Sequence, residues 1–188
     1  TSSAIIYDTI KEEYNFPIFP IIQSTAKIIS DMNIKTLGVF ATEATIKSNA
    51  YSNEINRYNK NINVIQVACP NWVNFVENNA YNTDICINDL TEKLNQILQY
   101  NPEKIILGCT HYPYLLDNLK SILKKDIFID PADIFVNFIK KELEGKDLIN
   151  TNNTKATDLF YVSSNPEAFI KNGAFFYKLK SKPELITF

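Results

Sequence analysis

The chain has 188 residues, 45% of them apolar, a formal net charge of −2 and three cysteines. That length suits one domain or two small ones with a sizeable core, and a near-neutral charge without a basic stripe excludes a nucleic-acid footprint. No apolar run reaches membrane-spanning length and none reads as a signal peptide. The odd, sparse set Cys69, Cys86 and Cys109 lacks metal-type spacing and argues against a disulfide framework, pointing to a reducing cytoplasm.

The pattern then runs as alternating helix and strand. Thr1-Ser2-Ser3 offers cap hydroxyls, and Ala4, Ile5, Ile6, Thr9 and Ile10 give an apolar helix face. Phe16 to Ile22 reads as extended, with prolines suited to strand ends, and Ser24 to Met32 as a short helix. Lys35 to Phe40 is a strand, and it runs into Ala41-Thr42-Glu43-Ala44-Thr45-Ile46-Lys47-Ser48. Thr42 suits a helix cap. Thr42 and Thr45 also lie one helical turn apart, so both hydroxyls can face one strand-end crevice beside free backbone N–H groups, a combination that suits a carboxylate.

Ile62 to Ala68 is a second strand, entering Cys69-Pro70-Asn71-Trp72-Val73-Asn74-Phe75-Val76-Glu77. Trp72, Val73, Phe75 and Val76 read as core. Glu77 reads either as an exposed helix residue or as an acid held close behind a strand-end loop. Cys86 sits in a packed tract, and Leu90, Leu94, Ile97 and Leu98 form a helix stripe stopped by Asn101-Pro102. Lys104-Ile105-Ile106-Leu107 is a strand buried on both faces, and Gly108 allows a sharp exit before Cys109-Thr110-His111-Tyr112-Pro113 and a helix carrying Tyr114 to Leu123. Cys109 therefore stands at the C-terminal end of a strand before a helix, where open α/β sheets place ligands and a thiolate is stabilised. The only histidine, His111, is two residues away and can carry the thiol proton. Ile127 to Ile129 is a short strand. Asp130-Pro131-Ala132-Asp133 opens a helix ended by Gly145, Asn150 to Lys155 is a polar loop suited to mobility, and Leu159 to Val162 is a last strand before a helix through Phe176. The order implies parallel βαβ units, hence an α/β fold.

Three strand-end motifs thus share one chain: Ala41 to Ser48, Cys69-Pro70 through Glu77, and Gly108-Cys109-Thr110-His111-Tyr112-Pro113. Together they resemble the bacterial glutamate racemases of the aspartate/glutamate racemase family. Thr1-Ser2-Ser3-Ala4 resembles the residues just after that family's first catalytic cysteine, and Phe160 to Phe176 its closing strand and helix. The resemblance implies two pseudo-symmetric parallel-sheet lobes with helices on both faces. Residues 24–133 would form the second lobe, and residues 1–23 and 134–188 the remnant of an incomplete first lobe.

The same resemblance implies interconversion of L- and D-glutamate with no cofactor and no metal, feeding D-glutamate to peptidoglycan in a bacterial cytoplasm. Two thiols would exchange the α-proton from opposite faces. Cys109 matches the second-lobe thiol, with His111 and Glu77 as its proton partner and supporting acid, and Thr1, Thr42, Thr45 and Thr110 would hold the substrate. The family's Asp-Ser-Gly motif and first cysteine with its asparagine would stand before Thr1, and neither Cys69 nor Cys86 matches them. The expectation is therefore a C-terminal portion, inactive as a racemase alone, with exposed apolar sheet surface through which it forms a homo-oligomer, unless it rearranges or belongs to a longer polypeptide. Gln23-Ser24 replaces a Glu-Pro common in the family. The alternatives are an aspartate or related amino-acid racemase, a non-catalytic one-lobe binding module, and, less in keeping with the adjacency of Cys109 and His111, a thiol hydrolase.

Overall fold

The apolar runs read as strands pair side by side in the computed structural model of the chain, which describes residues 2–151 and 158–187. Two units are distinguished, Thr1–Leu148 and Ile149–Phe188. In chain order the first holds α1 (Ser2–Ile5), α2 (Tyr7–Ile10), α3 (Ile21–Ser30), β1 (Thr36–Ala41), α4 (Glu43–Lys47), α5 (Ala50–Tyr58), β2 (Asn63–Ala68), α6 (Trp72–Glu77) and α7 (Asp84–Leu98). It continues with β3 (Lys104–Leu107), a 3-10 turn over Tyr112–Leu115, α8 (Leu116–Leu123), β4 (Phe128–Ile129) and α9 (Pro131–Gly145).

The four strands form one parallel sheet in the order β2-β1-β3-β4. Val39 of β1 sits opposite Gln66 of β2 on one side and Ile106 of β3 on the other. The pleat divides each central strand between two cores. Leu37, Val39, Ala41 and Ile106 pack on Ile22, Ala26 and Ile29 of α3 and Tyr51 and Ile55 of α5. Phe40, Ile105 and Leu107 pack on Trp72 and Val76 of α6, Leu90, Leu94 and Ile97 of α7 and Leu119 of α8. Helices thus cover both faces, which is why these strands read as unbroken apolar runs rather than alternating ones. Each fully buried Leu, Ile or Val contributes about 1.5–3 kcal/mol of transfer free energy to holding the layers together.

The structure redraws several expected elements. The single apolar face from Ala4 to Ile10 is two four-residue helices. Segments that short cannot propagate cooperatively, and Ile5 and Ile6 stay largely exposed. The extended tract stops at Pro20, whose carbonyl accepts the Ser24 N–H at 3.1 Å, so Ile21 and Ile22 belong to α3. The helix expected after Pro113 begins as the 3-10 turn and becomes α-helical only at Leu116.

In the second unit β5 (Tyr161–Val162) and β6 (Glu184–Leu185) pair in parallel, with α10 (Pro166–Gly173) between them. The Asn165 side chain caps α10 by accepting the Ala168 N–H at 3.0 Å. Asp158 gathers this unit: its carboxylate accepts the Tyr177 hydroxyl at 2.8 Å and meets Lys180 at 3.1 Å, while its carbonyl accepts the Ser181 hydroxyl at 2.6 Å. Two expectations shift here. The strand expected from Leu159 covers only Tyr161–Val162 and is followed by β6 rather than being the last, and the helix ends at Gly173, whose carbonyl accepts the N–H groups of Phe176 and Tyr177. Most of the polar loop expected at Asn150 to Lys155, like Thr1, lies outside the described residues. Among the described residues no helix is long and apolar enough to cross a membrane.

Candidate active site at the ends of β1 and β3

The chain leaves β1 to build β2 on one side and later returns to place β3 on the other. Such a reversal opens a crevice beyond the carboxyl ends of the two central strands. The residues there are Thr42 after β1 and Gly108-Cys109 after β3. Three bonds tie the strand-end loops to one another. Gly108 N–H donates to the Phe40 carbonyl at 2.7 Å and Cys69 N–H to Ala41 at 2.9 Å, while the Tyr112 hydroxyl donates to the Cys69 carbonyl at 2.7 Å.

A cavity of about 630 Å³ occupies the crevice. Its lining includes Cys109, Thr110, His111, Thr42, Tyr51 and Asp130. Gly108 also lines it, and its role differs from a flexible exit. No described glycine has a positive φ, so the backbone there suits any residue. What demands glycine is proximity: a Cβ at Gly108 would lie 2.9 Å from the Phe40 carbonyl oxygen and 2.9 Å from Tyr51 Cε2.

Cys109 is half-buried, and burial pushes its thiol pKa up. The backbone N–H groups of His111 and Tyr112 at the sulfur work the other way, and Glu77 adds to the rise. Burial outweighs the loop's donors, so the thiol's pKa stands above its ordinary value, a balance that the sequence alone left open. A base is within reach. Cys109 Sγ lies 3.9 Å from His111 Nδ1, and His111 Nε2 lies 3.1 Å from Glu77 Oε1. An Nε2–H donated to the Glu77 carboxylate leaves Nδ1 as the acceptor facing the sulfur.

Glu77 is therefore both readings at once: its side chain is 53% exposed, and it ends α6 where it meets the histidine. Trp72 fixes that helix. It is fully buried, packs with ring centroids 4.9 Å from Phe40 (tilted) and from Tyr112 (edge-to-face), and donates its indole N–H to Asp89 at 2.8 Å.

Thr42 combines cap and cavity roles: its hydroxyl accepts the Thr45 N–H at 3.4 Å while the residue lines the cavity. Thr45 is fully buried and does not line it. The Thr45 hydroxyl stands 3.0 Å from that of Thr42, behind it. Thr110 is exposed on the cavity rim. Cys69 and Cys86 are buried away from the cavity, so Cys109 is its one thiol among the described residues. Tyr51 and Asp130 were not singled out from the sequence. A tyrosine in a helix and an Asp-Pro helix start both read as structural, and only the strand order brings them to Cys109.

A family model described as Asp/Glu/Hydantoin racemase matches residues 1–139. A glutamate racemase of Trichodesmium erythraeum is 37% identical over 170 residues, 90% of this chain and 62% of that protein. One from Thermoanaerobacter sp. is 32% identical over 163 residues, 86% of this chain and 61% of that protein. The chain thus spans less than two thirds of these relatives' length. Among solved structures, glutamate racemase of Francisella tularensis in complex with D-glutamate superposes with a TM-score of 0.89 at 30% identity, over 99% of this chain and 70% of that one. That of Thermus thermophilus in complex with β-chloro-D-alanine gives 0.83 at 25% identity, over 99% and 68%.

Proposed function

The chain belongs to the Asp/Glu/Hydantoin racemase family, and on that premise we propose that it carries the Cys109 half of a cofactor-independent glutamate racemase. The observation that supports this most is the relay Glu77–His111–Cys109 opening on a cavity at the sheet's switch point. An amino-acid α-proton is weakly acidic, so its removal needs a base held against it in a site that excludes water. In this reading His111 Nδ1 takes the thiol proton and Glu77 steadies the resulting imidazolium. The thiolate then takes the α-proton: the C–H bond breaks, an S–H bond forms, and the electron pair stays on the α-carbon. Return of a proton to the same face regenerates the starting enantiomer, and delivery from the opposite face inverts it.

The described residues bring one thiol to the cavity, which serves one face. The proposal is therefore exchange without inversion by these residues alone. Thr42 and Thr110 hold the substrate through hydroxyl and backbone donors, and Thr45 acts through Thr42. Thr1 keeps its proposed part in binding. The assembled enzyme would supply D-glutamate for peptidoglycan in a bacterial cytoplasm, and residues 24–133 correspond to one of its two lobes. Glutamate rather than aspartate is favoured by relatives named glutamate racemase at 32–37% identity. Protection of Cys109 from alkylation tests the substrate assignment. L- and D-glutamate should slow the reaction in a saturable manner and aspartate should not. Equal protection by aspartate would favour the related racemase, and no protection by either would leave a binding module of other specificity.

A further inference from the structure

The cavity holds a donor that the relay does not use. Tyr51, in the first turn of α5, is 1% exposed and lines the cavity opposite the loop after β3. Its Cε2 atom, the ring carbon next to the one that bears the hydroxyl, would lie 2.9 Å from a Cβ at Gly108. The phenol end of the ring is therefore the end at the Gly108-Cys109 loop. Among the described residues no group bonds to the Tyr51 hydroxyl. A buried phenol normally finds a partner, because a desolvated O–H left unmade costs free energy. Burial also pushes its pKa upward, so the hydroxyl keeps its proton.

A neutral O–H that bonds to no described group, on a residue that lines this cavity, suits an anionic oxygen. We propose that the Tyr51 hydroxyl is a substrate-binding donor, completed when a carboxylate of the amino-acid substrate occupies the cavity beside Cys109. This rests on the racemase reading above and adds a substrate contact to it. The contact discriminates as well as binds: a ligand that offers no acceptor there leaves the phenol desolvated and unpaired.

The test is Tyr51→Phe, which keeps the ring against Gly108 and removes one oxygen. α-Proton exchange of L- and D-glutamate in D2O is followed by NMR over a range of substrate concentrations, and unliganded thermal unfolding is measured alongside. Loss of a hydrogen bond to a charged group should raise KM about ten- to hundredfold. With the contact confined to binding, kcat should stay within about threefold. The unliganded variant should melt no lower than wild type, because the atom removed is unpaired until substrate arrives. An unchanged KM overturns the proposal. So does a fall in kcat at constant KM, which would put the hydroxyl on the thiolate, and so does a lower melting temperature with parallel loss of exchange, which would make it structural. If wild type neither exchanges the proton nor shows Cys109 protection by glutamate, the racemase reading itself fails and this assignment goes with it.

Discussion

Gly108→Ala puts the close packing at the heart of the site to the test. The added Cβ would meet the Phe40 carbonyl oxygen at 2.9 Å, Tyr51 Cε2 at 2.9 Å and the Ala41 Cβ at 3.3 Å. Carbon pairs are most favourable at about 3.5–4.0 Å, so the ring is too near by roughly 0.6 Å or more. The carbonyl cannot give way, since it belongs to a central strand and accepts the N–H of Gly108 itself at 2.7 Å. The Tyr51 ring is buried but borders the cavity, so it can shift where the backbone carbonyl cannot. Overpacking of this kind costs about 1–3 kcal/mol, and the fixed backbone places this case in the upper half. For a chain of this length each kcal/mol moves the melting temperature by about 2–4 °C, so the variant should melt about 4–12 °C lower by circular dichroism. Gly145→Ala is the control. It ends α9 with nothing within 4 Å of its would-be Cβ, and a helical Gly→Ala change should gain about 0.5–1 kcal/mol. Gly108→Ala melting within about a degree of wild type, with Gly145→Ala behaving as expected, would refute the close approach.

Other consequences follow from single contacts. Under native alkylation Cys109 should react before Cys69 and Cys86, which are fully buried, with burial pushing Cys86 up to about 11 and Cys69 further. The Cys109 rate should climb as pH rises from neutral, because its thiol also sits above the ordinary value, and peptide mapping reads the order. Asp89→Ala strands the indole N–H of Trp72 and should cost about 1–3 kcal/mol, with a change in emission from the only tryptophan. Backbone N–H groups of Thr36 and Lys35 hold the Glu103 carboxyl below its ordinary value. The folded state therefore binds fewer protons, and the contribution is present above the unfolded-state value and lost as pH falls through the folded one. Glu103→Gln should be less stable than wild type at neutral pH, with the difference closing in acid denaturation series.

The sequence made β1 and β3 legible because each is buried on two sides and so reads as an apolar run, while the half-buried edge strand β2 was legible from its β-branched residues. It made Cys109, His111 and Thr42 legible because each directly follows or lies near a strand end. Strand order left no such trace. Tyr51 reaches the cavity because β1 and β3 are neighbours, and Asp130 because β4 pairs with β3, pairings that periodicity does not encode. The one-turn spacing of Thr42 and Thr45 was legible, and it brings their hydroxyls within 3.0 Å of each other. The thiol's ionisation was not legible from position, since a strand-end loop before a helix says nothing of how deeply the sulfur is buried. The two-residue strand Glu184–Leu185 is too short to carry a period and exists through its partner Tyr161–Val162.

The central claim is that Cys109 exchanges the α-proton of glutamate from one face. Deuterium wash-in from D2O into L- and D-glutamate, with wild type and Cys109→Ala, measures this directly. The account predicts label entering one enantiomer without inversion, and none with Cys109→Ala. Label entering undiminished in Cys109→Ala, or exchange accompanied by inversion, would contradict it.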